Sequence, residues 1–366
     1  MFRFTVLLWL LFAHTVTIYS EGTSQEAILR VFAIRKGHEK DKELDEVRKY
    51  VKTTVGSNEE ETEERWALDH HGGVMWFYLK TTESIAKEIM EKWSTMIETS
   101  SILNFEDDAM EDQAVDITDD DIPETNPGAQ GIRYSGDIHF NNLTKRALET
   151  KQDVRENCML SQLPTYETPD PCLYFTDSKQ GEGVMVYVVD NDFKHIKWGK
   201  SKDHVFIDPL DGLPSWIGFA NHEIPPYDTV PANCYYRHGT AVLSKLLGAK
   251  YGVAKNVKPI LVKVSDRNCR RSLLFRIEAY EKIIVDIRHK TLIFESQSLK
   301  APNFIVLTTY SIPNNMFNRN KVELGDALDR HSQAIQTLTN MRNVAYIAVA
   351  GNGPSGGNQW TMHEVC

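Results

Sequence analysis

Gly181-Glu182-Gly183-Val184-Met185-Val186-Tyr187-Val188-Val189-Asp190 reads as a turn, an unbroken apolar run and then a carboxylate. A short valine-rich run with no polar alternation, bounded by glycine, predicts a strand covered on both faces, as in a parallel sheet. Similar runs follow at Ile260–Val264, Phe304–Leu307 and Val344–Val349, separated by helical patterns at Thr240–Leu247, Ser272–Ile287 and Lys321–Met341. This alternation predicts a doubly wound, mostly parallel α/β sheet over residues 151–366. Such sheets gather their chemistry at the carboxyl ends of strands. Asp190 ends the first run, and Asn352 follows the last one through Ala350-Gly351.

Upstream, the pattern changes to that of a small α+β domain over residues 21–110. Ala27–Ile34 is an apolar, β-branched run, and Asp41–Val55 carries Leu44, Val47, Val51 and Val55 at helical spacing. Val74–Leu79 follows a Gly72-Gly73 turn, a second helix begins near Thr82 with Ile85, Ile89 and Trp93 on one face, and Ile102–Phe105 closes the set as a strand. Residues 111–150 read as an acidic linker. Lys145-Arg146 within it is a candidate processing site, and Asn142-Leu143-Thr144 is a glycosylation acceptor.

Residues 1–20 have the layout of a secretory signal: Arg3, an apolar run from Phe4 to Phe12 extended through Val16 and Ile18, and small Ser20. That run is broken by His14 and threonines and is short for a membrane span. A secreted, extracellular protein with no membrane association after signal removal is therefore expected. The formal net charge is -10, but the stretch from Trp93 to Ile132 holds eleven acids and no Lys or Arg, which leaves about +1 for everything else. Near-neutral globular parts argue against nucleic acid as a partner. All five cysteines, Cys158, Cys172, Cys234, Cys269 and Cys366, lie late in the chain, in odd number and without zinc-site spacing.

Three residues carry the candidate chemistry. A serine hydrolase needs a base for the hydroxyl proton, a carboxylate holding that base in one tautomer, and donors for the oxyanion. Asp190 is the candidate orienter, His238 at a helix start with small Gly239 and Thr240 behind it is the candidate base, and Asn352 is the candidate oxyanion donor. Taken singly, each has a plain structural reading as a turn aspartate, a packing histidine and a Gly-Asn turn. Beyond Asn352 the sequence holds only Ser355, with no Gly-Thr-Ser at a helix start, so the nucleophile is expected to be absent from these 366 residues.

The order Asp, His, Asn, the segment ending in Asp190, His238-Gly239-Thr240-Ala241-Val242 and Tyr251-Gly252-Val253-Ala254 before Ile260–Val264 resemble the subtilisin-like serine proteases, in particular their fungal proteinase-K-like members. The resemblance runs from about Tyr174 to Asn352. It implies a secreted endopeptidase acting by acyl transfer on protein or peptide substrates, preceded by its own inhibitory propeptide, and carboxyl-terminally truncated before the catalytic serine. No organic cofactor is implied. Structural calcium is common in the family, and no residue here is assigned to it. The chain departs from the family at Asn191-Asp192, at Arg237 and in the glycine-free Thr309-Tyr310-Ser311, where side chains are expected to crowd an extended substrate. Those departures frame an alternative, a non-catalytic scaffold that binds peptides or a protease.

Overall fold

The computed structural model describes residues 26–56, 63–103, 179–190, 193, 238–248, 252–265, 272–309 and 327–349, and the backbone of short strands at 144–146, 174–176, 197–198, 206–207 and 215–217. Two compact units emerge: one holds the residues through Leu68 with Gly72–Leu103, the other Asn104 onward with Asp69–His71.

The first unit runs β1 (Ile28–Ile34), α1 (Glu43–Thr54), β2 (Arg65–Leu68), β3 (Val74–Thr81), α2 (Glu83–Lys92) and β4 (Ile97–Ile102). Its sheet is antiparallel with order β2-β3-β1-β4. Strand alternation sends Phe32, Ile34, Phe77 and Leu79 to one face, where Leu44, Val47 and Val51 of α1 and Ala86 and Ile89 of α2 complete a core. Phe77 is the hub of this core. Its ring stacks on Phe32 at 4.7 Å and on Trp66 at 4.4 Å. Thr82 caps α2 by accepting from the Ile85 amide at 3.4 Å, and Gly72 turns the chain between β2 and β3 at φ +78, where a Cβ is unwelcome.

Two elements differ from the sequence expectation. The closing strand is β4 at Ile97–Ile102, ahead of Ile102–Phe105, because its Glu98–Ser101 segment is a half-exposed edge without apolar alternation and is held by pairing with β1. Strand β2 was not expected at all. It is a four-residue edge strand whose Trp66 packs on Phe77.

The second unit contains the expected parallel sheet. Its elements are β5 (Thr144–Arg146), β6 (Tyr174–Thr176), β7 (Val184–Asp190), β8 (Lys197–Trp198), β9 (Phe206–Ile207), β10 (Ser215–Ile217), α3 (His238–Leu247), β11 (Lys258–Lys263), α4 (Leu273–Ser296), β12 (Asn303–Thr308), α5 (Ala327–Asn340) and β13 (Val344–Ala348). The main sheet has order β10-β11-β7-β12-β13, every pairing parallel, with β7 in the centre. Alternate β7 residues reach opposite faces. Val186 and Val188 pack with Leu243 and Leu247 of α3. From the other face, the Tyr187 hydroxyl donates to Asp286 Oδ2 of α4 at 2.6 Å. Burial, then the carboxylate, pushes the Tyr187 phenol well above its usual range, so it remains a donor.

Helix α4 is capped by Ser272, whose hydroxyl accepts from the Leu274 amide at 3.3 Å, and every residue from Leu273 to Glu281 is buried. It continues past the expected end at Ile287 to Ser296, because its last turns expose Leu292 and Ile293 and so carry no core-facing period. Lys145-Arg146, read from sequence as a processing site, lies in β5, which pairs antiparallel with β6.

Candidate active site

The site is built at the carboxyl edge of the sheet. Asp190 is the last residue of central β7 and is fully buried, flanked in register by Lys263 of β11, while Thr308 of β12 stands opposite Val189. His238 is the first residue of α3. The apolar seam of Leu243 and Leu247 on Val186, Val188 and Leu261 fixes α3 against the sheet, and this places its first residue beside the strand end.

The helix is also held at its far end. The Val253 amide donates to the Lys245 carbonyl at 3.1 Å and the Ala254 amide to the Leu246 carbonyl at 2.9 Å, so the chain folds back against the last turn of α3. That return requires glycine at 252: a Cβ there would lie 2.4 Å from the Leu247 carbonyl carbon and 2.5 Å from the Gly248 oxygen.

His238 Nδ1 lies 2.9 Å from Asp190 Oδ2, a contact between residues 48 apart in sequence. The carboxylate is wholly buried, whereas the imidazole side chain is 36% exposed. A buried carboxylate on Nδ1 selects the tautomer with hydrogen there and turns Nε2 toward proton transfer. Thr309, one residue past β12, donates its hydroxyl to the same Asp190 Oδ2 and lies 3.1 Å from the Val189 carbonyl oxygen. In the sequence Thr309 stands only as a departure expected to crowd the cleft. Its link to Asp190 was not foreseen, since nothing in a sequence aligns residues 119 apart by register.

The neighbouring strand end is tied on the opposite side of β12. Tyr280 of α4 shares hydrogen bonds of 3.1 Å with the Thr308 hydroxyl and with the Tyr346 hydroxyl of β13. Complete burial, the largest cause, pushes the Tyr280 phenol well above its usual range, and it stays neutral. His331 of α5 lies under the same tyrosine, ring centroids 5.5 Å apart. Burial first, and then the positive charge of Arg276, lower the His331 imidazole to about 3, so this histidine is a neutral packing residue.

Of the three sequence candidates, Asp190 and His238 are brought together. Asn352, together with Asp192, Arg237 and Ser355, lies outside the described residues. The described residues contain no group of three or more His, Cys, Asp or Glu able to hold a metal ion. Among them, no helix is long and apolar enough to cross a membrane.

No protein-family model matches the chain. It is 30% identical over 153 residues to Subtilisin-like protease 7 of Arthroderma gypseum, covering 36% of this chain and 33% of that protein. It is 34% identical over 101 residues to Subtilisin-like protease 6 of Trichophyton equinum, covering 25% of this chain and 18% of that protein. The chain thus spans a third or less of the length of these curated relatives. In sequence it is similar to subtilisin-like proteases over part of its own length and a smaller part of theirs.

Proposed function

We propose that the chain is a secreted preproprotein of the subtilisin-like serine endopeptidases: signal over 1–20, inhibitory propeptide over 21–110, acidic linker over 111–150 and peptidase domain over 151–366, its substrate a protein or peptide. In acyl transfer, Asp190 would orient His238, His238 would serve as general base and then general acid through Nε2, and Asn352 would supply an oxyanion donor with a backbone amide. The observation that carries the reading is the 2.9 Å contact of His238 Nδ1 with a fully buried carboxylate at the end of the central strand. The order of an antiparallel α+β unit followed by a parallel α/β unit, and the partial likeness to two fungal proteases, support it.

After Asn352 the 366 residues hold one serine, Ser355, and no Gly-Thr-Ser sequence. Removing the nucleophile of such an enzyme costs about 10⁶ in turnover. The 366-residue polypeptide is therefore expected to take up no fluorophosphonate probe and to cleave no casein above its His238→Ala variant. Reading the transcript beyond Cys366 is the test of lineage. A continuation that encodes Gly-Thr-Ser before a helix, and an extended protein that labels with the probe only when His238 is intact, establish the enzyme. An extended protein with that segment and no probe uptake refutes it in favour of a non-catalytic binding scaffold.

A further inference from the structure

We infer that Thr309 is a positioning residue for the Asp190–His238 pair: its hydroxyl draws charge from the carboxylate oxygen that binds the imidazole and so keeps His238 a neutral base. The inference rests on the reading of that pair as an acid–base couple. Its observation is that one atom, Asp190 Oδ2, takes both contacts, His238 Nδ1 at 2.9 Å and the Thr309 hydroxyl.

The Thr309 hydroxyl has one hydrogen and two acceptors within reach, the Val189 carbonyl at 3.1 Å and the carboxylate. Both are acceptors only, and a hydroxyl facing an ionised and a neutral acceptor gives its proton to the ionised one. Thr309 is itself buried, as is Asp190, so the bond is made where water does not compete.

Its position is set from both sides of β12. Thr308 is anchored to Tyr280 on the α4 side, and the next residue carries its side chain to the Asp190 side. Threonine here also fits better than serine alone would require, since its methyl restricts χ1 and keeps the hydroxyl aimed.

The consequence is chemical. A buried carboxylate facing an imidazole favours the imidazolium, and a base already charged cannot accept the proton of a nucleophile. A hydroxyl on the same oxygen takes up part of that charge without adding a titrating group. Thr309→Val keeps volume and branching and deletes only this donor. The other charged residue in register with Asp190, Lys263 of β11, is the same in every variant and cancels in the comparison.

The test uses the full chain, labelled for histidine ring NMR, with the His238 resonance followed through pH in wild type, Thr309→Val, Thr309→Ala, Thr309→Ser and Asp190→Asn. Removing one hydrogen bond to a charged group should raise the His238 titration midpoint by about 0.5–1 unit in Thr309→Val, or in Thr309→Ala should the valine variant not fold. Thr309→Ser should restore the wild-type midpoint, and Asp190→Asn should lower it. A midpoint that stays or falls in both Thr309 deletions, or one that serine does not restore, overturns the role of Thr309 while a response to Asp190→Asn leaves the couple standing. A midpoint indifferent to Asp190→Asn overturns the couple itself.

Discussion

Replacing His331 by leucine should make the protein more resistant to acid without weakening it at pH 8. Both ring nitrogens of His331 are buried with no hydrogen-bond partner among the described residues, and the residue is 4% exposed. An apolar side chain of comparable size therefore breaks no bond. The sign follows from the direction of the shift. The imidazole is lowered to about 3 in the folded protein, against about 6.5 unfolded, so the unfolded state binds the extra proton. Stability is fully present above the unfolded value and is lost as pH falls from about 6.5 toward 3. At pH 5 the unfolded histidine is almost wholly protonated and the folded one is not, which costs the native state about 2 kcal/mol relative to pH 8. Leucine removes that loss. Urea unfolding of both proteins at pH 8, 6 and 5 measures it, with the difference between the two pH profiles cancelling the carboxylates they share. Parallel profiles would refute the argument, and so would a leucine variant weaker at pH 8 by more than about 2 kcal/mol, which would reveal a buried hydrogen bond on the ring.

Phe77→Ala should destabilise the first unit by about 3–5 kcal/mol, because it deletes the ring on which Phe32 and Trp66 both stack; near-UV circular dichroism of the full chain in urea would follow it, and an unmoved transition would contradict the hub role. Gly252→Ala forces a Cβ to 2.4 Å from backbone and should cost about 1–3 kcal/mol, read as a lower melting temperature with a weakened response of His238 to Asp190→Asn; an unchanged melt would show that the α3 return relaxes freely.

The second unit was the more legible in sequence because a buried parallel strand announces itself: the run Val184–Val189 has no polar member, and β7 is indeed covered on both faces. Asp190 was legible for the same reason, as the first charge after such a run. What escaped were features decided by partners far along the chain. Strand β2 takes its place from Phe77, and β4 takes its register from β1, with Ile34 opposite Ile97. The second half of α4 carries exposed Leu292 and Ile293, so amphipathic periodicity ended before the helix did. Thr309 stood in view as a departure from a familiar pattern, yet its meaning depended on the parallel register of β12 with β7, which sequence spacing does not encode.

The central strand of the sheet is written early in the domain and completed late. Strand β7 ends at residue 190, but its two neighbours arrive at 258–263 and 303–308, and the hydroxyl on Asp190 Oδ2 belongs to residue 309. Each of these pairings closes a long loop, whose entropy must be overcome before the contact gives anything back, and parallel sheets of such high contact order assemble slowly. During synthesis this buried central strand therefore leaves the ribosome more than a hundred residues before Thr309 can reach it. Assembly of the Asp190 environment is in this sense a clock for the whole sheet: a nascent or misfolded chain that displays His238 bound to Asp190, with Thr309 on the same oxygen, has already formed the pairings of β7 with both β11 and β12.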